Sequence, residues 1–443
     1  MMKWLWKLLK ILHLDMRKID VGILRAAEIK FDFIGGFCLL GVACATQNRV
    51  SVCNGKLLYN GNLYEELLFV SCDENSSFVL HDVVIGVGFH WQRKEIQNFR
   101  GELRFIIEEG EVRAINRIAI EEYLVSVISS EMSATSSLEF LKAHAIVSRS
   151  WLYAQLLRKE KVLQGVLGWE NADEIVRWYA REDHTLFDLC ADDHCQRYQG
   201  ITRAHNPNVA RAVKETAGLV LKYDGEVCDA RFSKCCGGVT ELFSSCWEDE
   251  NPAYLQALRD CEDVEPLPSL MDEESARRWI ESAPSSFCST KDKAVLSQIL
   301  NGYDRETNDF YRWRVEYTQE ELSAIVAERS GIDFGTITEL VPLERGTSGR
   351  ITRLQIIGSK ASRIVGKELE IRRWLSKSHL YSSAFVVDKV IDEKGVVKFV
   401  LKGAGWGHGV GLCQVGAAVM GEKGFSYSRI LAHYYPGAQI ETV

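Results

Sequence analysis

Between residues 18 and 116 apolar residues recur at every second position in short runs, IDVGIL, KFDFIG and LRFIIEEGEVRAI among them, with turn residues between. That spacing puts the apolar side chains on one face of an extended chain, so the stretch predicts strands buried on one side. From 117 to 160 the spacing turns helical, in IEEYLVSVISSEM and LEFLKAHAIVSRSWLYAQLL. Short strands return over 185–260. A polar, partly helical insertion with DEESARRWIES and TQEELSAIVAERSG occupies 262–334. Strands such as RITRLQIIG and VVKFVLKG then lead into a helix from about 412. Elements segregated in this way indicate an α+β fold, β-rich, with a central helical segment, in which the insertion decorates one continuous architecture.

The chain has 443 residues, 46% of them hydrophobic, and a net charge of −8. The acidic balance and the lack of a basic stripe exclude a nucleic-acid partner. No run approaches the roughly 18 apolar residues of a spanning helix. In residues 1–17 the lysines at 3, 7 and 10 interrupt the apolar run. This segment is either a basic amphipathic helix making peripheral membrane contact or an over-called start ahead of Met16. The thirteen cysteines are scattered, which is not the pattern of a small disulfide scaffold.

Several residues carry candidate chemistry. Leu124, Val127, Ile128 and Glu131 fall on one helical face, so a carboxyl group ends an otherwise apolar stripe. Desolvation there would keep a glutamic acid protonated for general acid work; the structural alternative is a side chain escaping to water at a fraying end. Ser136 and Glu139 fit a capping box opening the next helix. In that helix Lys142 and Arg149 share a stripe with small and apolar residues, either to hold an acid group or carbohydrate or to snorkel to the rim. His184, Cys190 and Cys195 offer imidazole and thiolate for zinc, with Cys235 or Cys236 of SKCCGG as a fourth ligand, or they are four unliganded residues. The run GAGWGHGVGLCQVGA places glycine at 403, 405, 407, 409 and 411. If extended, it presents bare backbone on one face and Trp406 and His408 on the other. Such a run marks close approach of a ligand or of another backbone.

Five of these segments in order, IEEYLVSVISSEM, LEFLKAHAIVSRSWLYA, AVKETAGLVLKYDGEVCDARFSKCCGGVTE, RGTSGRITRLQIIG and GAGWGHGVGLCQVGAAVMGEKGFSYSRILAHYYPGAQI, resemble the SpoIID/LytB family of peptidoglycan-acting proteins. The resemblance implies a two-lobed fold with a cleft. It divides the chain into a β-rich part at 18–116, a catalytic core with the zinc site at 117–261, the insertion at 262–334 and a closing part at 335–443. It further implies a lytic transglycosylase that cuts glycan strands, preferably stripped of stem peptides, and leaves 1,6-anhydro-muramic ends. Glu131 of the Glu-Met dipeptide would be the catalytic acid and base. Lys142, Arg149, Tyr198, Trp406, His408 and Gln414 would bind substrate, and zinc would sit structurally or near the cleft. The implied setting is the cell envelope. Two other activities stay open: a non-catalytic enhancer of a cell-wall amidase, and a zinc hydrolase at His184, Cys190 and Cys195. The chain departs from the family pattern at His144, where the motif writes Gln, and at Cys236, where it writes Ser.

Overall fold

The computed structural model describes residues 18–86, 92–132, 136–158, 166–179, 184–192, 195–202, 207–263, 266–299 and 310–443. Residues 1–17, including the amphipathic segment, lie outside them. The fold is mixed α+β. The chain divides into two compact units, each discontinuous in sequence. The first comprises Met1–Ala134, His184–Leu219 and Thr442–Val443, and the second Thr135–Asp183 and Val220–Glu441.

The first unit is built by the period-two pattern. In the strand Glu28–Ile34 the side chains of Ile29, Phe31 and Phe33 are buried while Glu28, Lys30 and Ile34 are exposed. This strand lies in a six-stranded sheet; a seven-stranded sheet contains Lys18–Ala26, Glu111–Ala119 and Glu102–Glu108. Aromatic residues from both sheets meet in the core: Phe31 lies 5.0 Å from Phe105 and 5.5 Å from Phe69, ring centre to ring centre. Leu189–Cys190 pairs in parallel with Val21–Gly22, so the segment from His184 completes the seven-stranded sheet. The helix Ile120–Glu131 follows directly on Glu111–Ala119.

The second unit centres on a five-stranded sheet and a three-stranded sheet of Arg312–Thr318, Val397–Ala404 and Phe385–Ile391. Leu354, Ile356, Phe399, Leu401 and Trp374 share one core cluster. The helix Gln319–Ser330 starts at a capping box, with Thr318 and Glu321 each bonding the other's backbone N–H, and stops at Gly331 with φ 73°. The helix Leu138–Arg158 is buried almost all round. At its start Ser137 accepts from the Leu141 and Phe140 N–H groups. Glu139 uses Oε2 to accept the Tyr427 N–H at 2.8 Å, at the start of the helix Tyr427–Tyr434.

Candidate functional site

Glu131 is the last residue of its helix and is partly buried. Leu124, Val127 and Ile128, one and two turns before it, are fully buried. Tyr123 on the same helix stacks on Tyr198 at 5.1 Å, and the Tyr198 hydroxyl donates to Asn116 Oδ1 at 2.5 Å. The Gln199 N–H donates to Ser126 Oγ at 3.2 Å. The segment after Cys195 thus fixes the helix that ends at Glu131. Tyr198 is 1% exposed and belongs to this packing.

The same unit holds the first candidate metal set. The ligand atoms of His184, Cys190 and Cys195 all lie within 4.8 Å of one another. His184 Nε2 is 3.6 Å from Cys195 Sγ, and the His184 ring stacks on Phe187. Tetrahedral zinc, with Zn–S of about 2.3 Å and Zn–N of about 2.0 Å, separates its ligand atoms by about 3.5–3.8 Å, so these residues fit the ion. Cys236 does not complete this set. It belongs to another cluster, with Asp260, Cys288 and Cys413, because its strand end meets residues remote in sequence rather than the His184 loop.

The remaining candidates belong to the second unit. Lys142 pairs with Glu139 at 3.3 Å and lies over the Tyr427 ring. Arg149 is completely buried. Gln414 is also buried, and its amide stands 3.2 Å from Nε2 of His144, whose Nδ1 is 3.2 Å from Ser148 Oγ. Burial, and then the charge of Lys234, pushes the His144 imidazole down to about 3. The departure from the family pattern at His144 is therefore answered within the closing motif, by Gln414.

The glycine run is not the extended face expected from its spacing. The strand Val397–Ala404 ends where the run begins, and Gly405, Gly407, Gly409 and Gly411 all have φ between 70° and 88°. Their backbone donors are used internally: Gly405 to Tyr311 O, Gly407 to Tyr381 O, Gly409 to Ser233 Oγ. A Cβ at Gly409 would stand 2.4 Å from the Arg350 guanidinium carbon, and one at Gly411 would stand 2.1 Å from Arg231 O. The glycines serve left-handed backbone and close packing, not donors for a passing ligand.

What the run does display is Trp406 and His408. Trp406 is partly buried between Phe310 and Tyr381, with ring centres 4.8 and 4.4 Å away. His408 Nδ1 accepts the Val410 N–H at 3.0 Å, which leaves the proton on Nε2. Burial, followed by Arg231 and Arg350, holds this imidazole well below its ordinary range, so it is a neutral donor.

Two residues within the quoted motifs gain their importance only in three dimensions. Glu241 is fully buried and accepts from Thr347 N and Oγ1, Ser348 N and Oγ, Ser245 Oγ and Leu242 N. Arg350, also buried, donates to Gly407 O, Cys236 O and Ser348 Oγ. Together they tie GGVTE, RGTSGR and the glycine run into one knot. The signal was the co-occurrence of a charged residue in each of two glycine-rich segments.

Residues 108–223 match the family model described as stage II sporulation protein, and residues 241–411 match one described as a domain of unknown function, DUF8618. The chain is 28% identical over 331 residues to a protein named amidase enhancer from Bacillus subtilis (strain 168), covering 72% of this chain and 40% of that protein. It is 24% identical over 329 residues to stage II sporulation protein D of Bacillus amyloliquefaciens, covering 74% of this chain and 75% of that protein. The Bacillus subtilis (strain 168) protein of the same name is 23% identical over 330 residues, with 74% and 76% covered. The chain thus spans about two fifths of the amidase enhancer and about three quarters of the two sporulation proteins. The family model lies on the segment that contains Glu131, Lys142, Arg149 and the His184 set, and together with these relatives it supports an assignment of the chain to the SpoIID/LytB family.

Proposed function

We propose that the protein acts on peptidoglycan in the cell envelope as a lytic transglycosylase, cleaving glycan strands that have lost their stem peptides, with Glu131 as acid and base. The observation that carries this reading is the setting of Glu131, a partly buried carboxyl group that ends a helix and follows the fully buried Leu124, Val127 and Ile128 on its own face.

In this reading Glu131 donates its proton to the glycosidic oxygen as the C1–O bond breaks, and the departing strand leaves as an alcohol. The 6-hydroxyl of the same muramic acid closes onto C1, and its proton passes to the Glu131 carboxylate. The acid is regenerated, no water is consumed, and a 1,6-anhydro end results. Such help contributes about 10²–10⁴-fold. Lys142, Trp406 and His408 are assigned to substrate binding on the family resemblance, with Lys142 suited by its charge to an acid group of the glycan. Arg149, Tyr198 and Gln414, being buried, act as positioning residues. Zinc held by His184, Cys190 and Cys195 would supply Lewis acidity or rigidity to its loop.

The test is incubation of purified protein with peptide-free glycan strands, followed by mass spectrometry of the products. Anhydro ends are expected, with the rate reduced about 10²–10⁴-fold in Glu131→Gln. Full activity in that variant overturns the assignment. A second reading is favoured by the relative named amidase enhancer. If the glycan stays intact while an added cell-wall amidase is stimulated by wild type and variant alike, that reading replaces the first.

A further inference from the structure

Four segments of the second unit converge on a cluster of sulfur and carboxylate. Cys236 follows the short strand Phe232–Ser233, Cys288 lies in the 3-10 turn Phe287–Ser289, and Cys413 ends the strand Leu412–Cys413 ahead of the helix Gln414–Glu422. Their sulfurs and a carboxylate oxygen of Asp260 all lie within 4.8 Å of one another, and none of the four side chains is more than 2% exposed. The Sγ atoms of Cys236 and Cys288 are 3.6 Å apart. That is well beyond the roughly 2.05 Å of a disulfide. It is close to the roughly 3.8 Å edge of a tetrahedron with metal–sulfur bonds of about 2.3 Å.

The surroundings are arranged for ionised donors. The Cys236 N–H donates to Cys413 Sγ at 3.2 Å, and the Gly238 N–H to Cys236 Sγ at 3.4 Å. Asp260 Oδ1 accepts from the Tyr434 hydroxyl at 2.7 Å, and Oδ2 from the Cys288 N–H at 3.1 Å. Among the described residues no lysine or arginine pairs with this fully buried carboxylate; the nearest basic group is His433 Nε2, 3.7 Å away. A buried carboxylate without a cation is costly. Gly416 makes room for it, since a Cβ there would stand 2.7 Å from both Asp260 oxygens.

We propose that Cys236, Cys288, Cys413 and Asp260 form a closed, structural centre for a divalent cation of the zinc class, separate from the His184, Cys190 and Cys195 set. Three thiolates and one carboxylate complete a tetrahedral shell without water, so the ion would cross-link rather than catalyse. It would join Cys288, from the polar insertion, to Cys236, 52 residues earlier, and Cys236 to Cys413, 177 residues later.

The test uses the full-length chain with His184, Cys190 and Cys195 all replaced by Ala, loaded with zinc or cobalt(II) under reducing conditions and gel-filtered. About one metal per chain is expected, with the strong near-ultraviolet thiolate-to-cobalt charge transfer. Adding Cys288→Ser or Cys413→Ser should abolish both. If either variant fails to fold, Asp260→Asn in the same background should weaken zinc retention against a competing chelator while keeping the cobalt–thiolate band. A folded triple-Ala chain that binds no metal overturns the proposal. So does an intact mass two units light with Cys236 and Cys288 joined as a disulfide.

Discussion

His144 shows what one buried side chain can impose. It is held between Ser148 and Gln414, fully buried, and its imidazole is pushed from an ordinary 6.5 down to about 3. The folded protein therefore refuses a proton that the unfolded chain accepts. The contribution to stability is complete above about pH 6.5 and is lost as pH falls from there towards about 3, at about 1.4 kcal/mol per pH unit. Urea unfolding at pH 7.5, 6 and 5 should show His144→Gln losing less stability on acidification than wild type by that slope; parallel curves would refute the argument. The pairing itself was not legible. The motif containing His144 and the motif containing Gln414 were each visible, but 270 residues separate the partners, and nothing local announces that one answers the other. Arg149 is a similar case: its helical position was evident, whereas its complete burial depends on elements elsewhere in the chain.

At the scale of elements, the glycine run separates what spacing can and cannot convey. Glycine at every second residue has the period of a strand, and that reading fails because the residues adopt alternating signs of φ only three dimensions can reveal. The run holds Arg350 against its backbone, so Gly409→Ala meets both a left-handed φ of 77° and a guanidinium 2.4 Å away. Gly395 has a similar φ of 78°, with nothing within 4 Å of the place an added methyl carbon would take. Gly395→Ala should cost about 1 kcal/mol of unfolding free energy, and Gly409→Ala distinctly more than the roughly 1–3 kcal/mol of backbone strain alone. Equal costs from denaturant melts would mean that Arg350 moves aside freely. By contrast, the strands of 18–116 and the helices Ile120–Glu131, Leu138–Arg158 and Gln319–Ser330 were legible, because alternation in strands, long stretches of good helix formers and capping residues are local signals. The metal donors were half legible: three lie within twelve residues, whereas Cys236, Asp260, Cys288 and Cys413 are gathered only by the fold.

For the molecule as a whole, the important fact is that neither compact unit is a continuous stretch of chain. The first unit needs His184–Leu219 for the Leu189–Cys190 strand and for Tyr198, whose ring stacks on Tyr123. A fragment ending at residue 134 should accordingly show strand content by circular dichroism but broadened amide signals by NMR and rapid proteolysis. A sharp, protease-resistant fragment would show that the early strands suffice. The parallel pairing of Val21 with Leu189 carries a consequence for biosynthesis. As the ribosome extends the chain, the aromatic sheets emerge early with one edge unmatched, and they must wait for some fifty residues belonging to the other unit before their closing strand arrives. During that interval the open edge is a template for self-association, so slower translation across 135–183 should increase the fraction lost to aggregates.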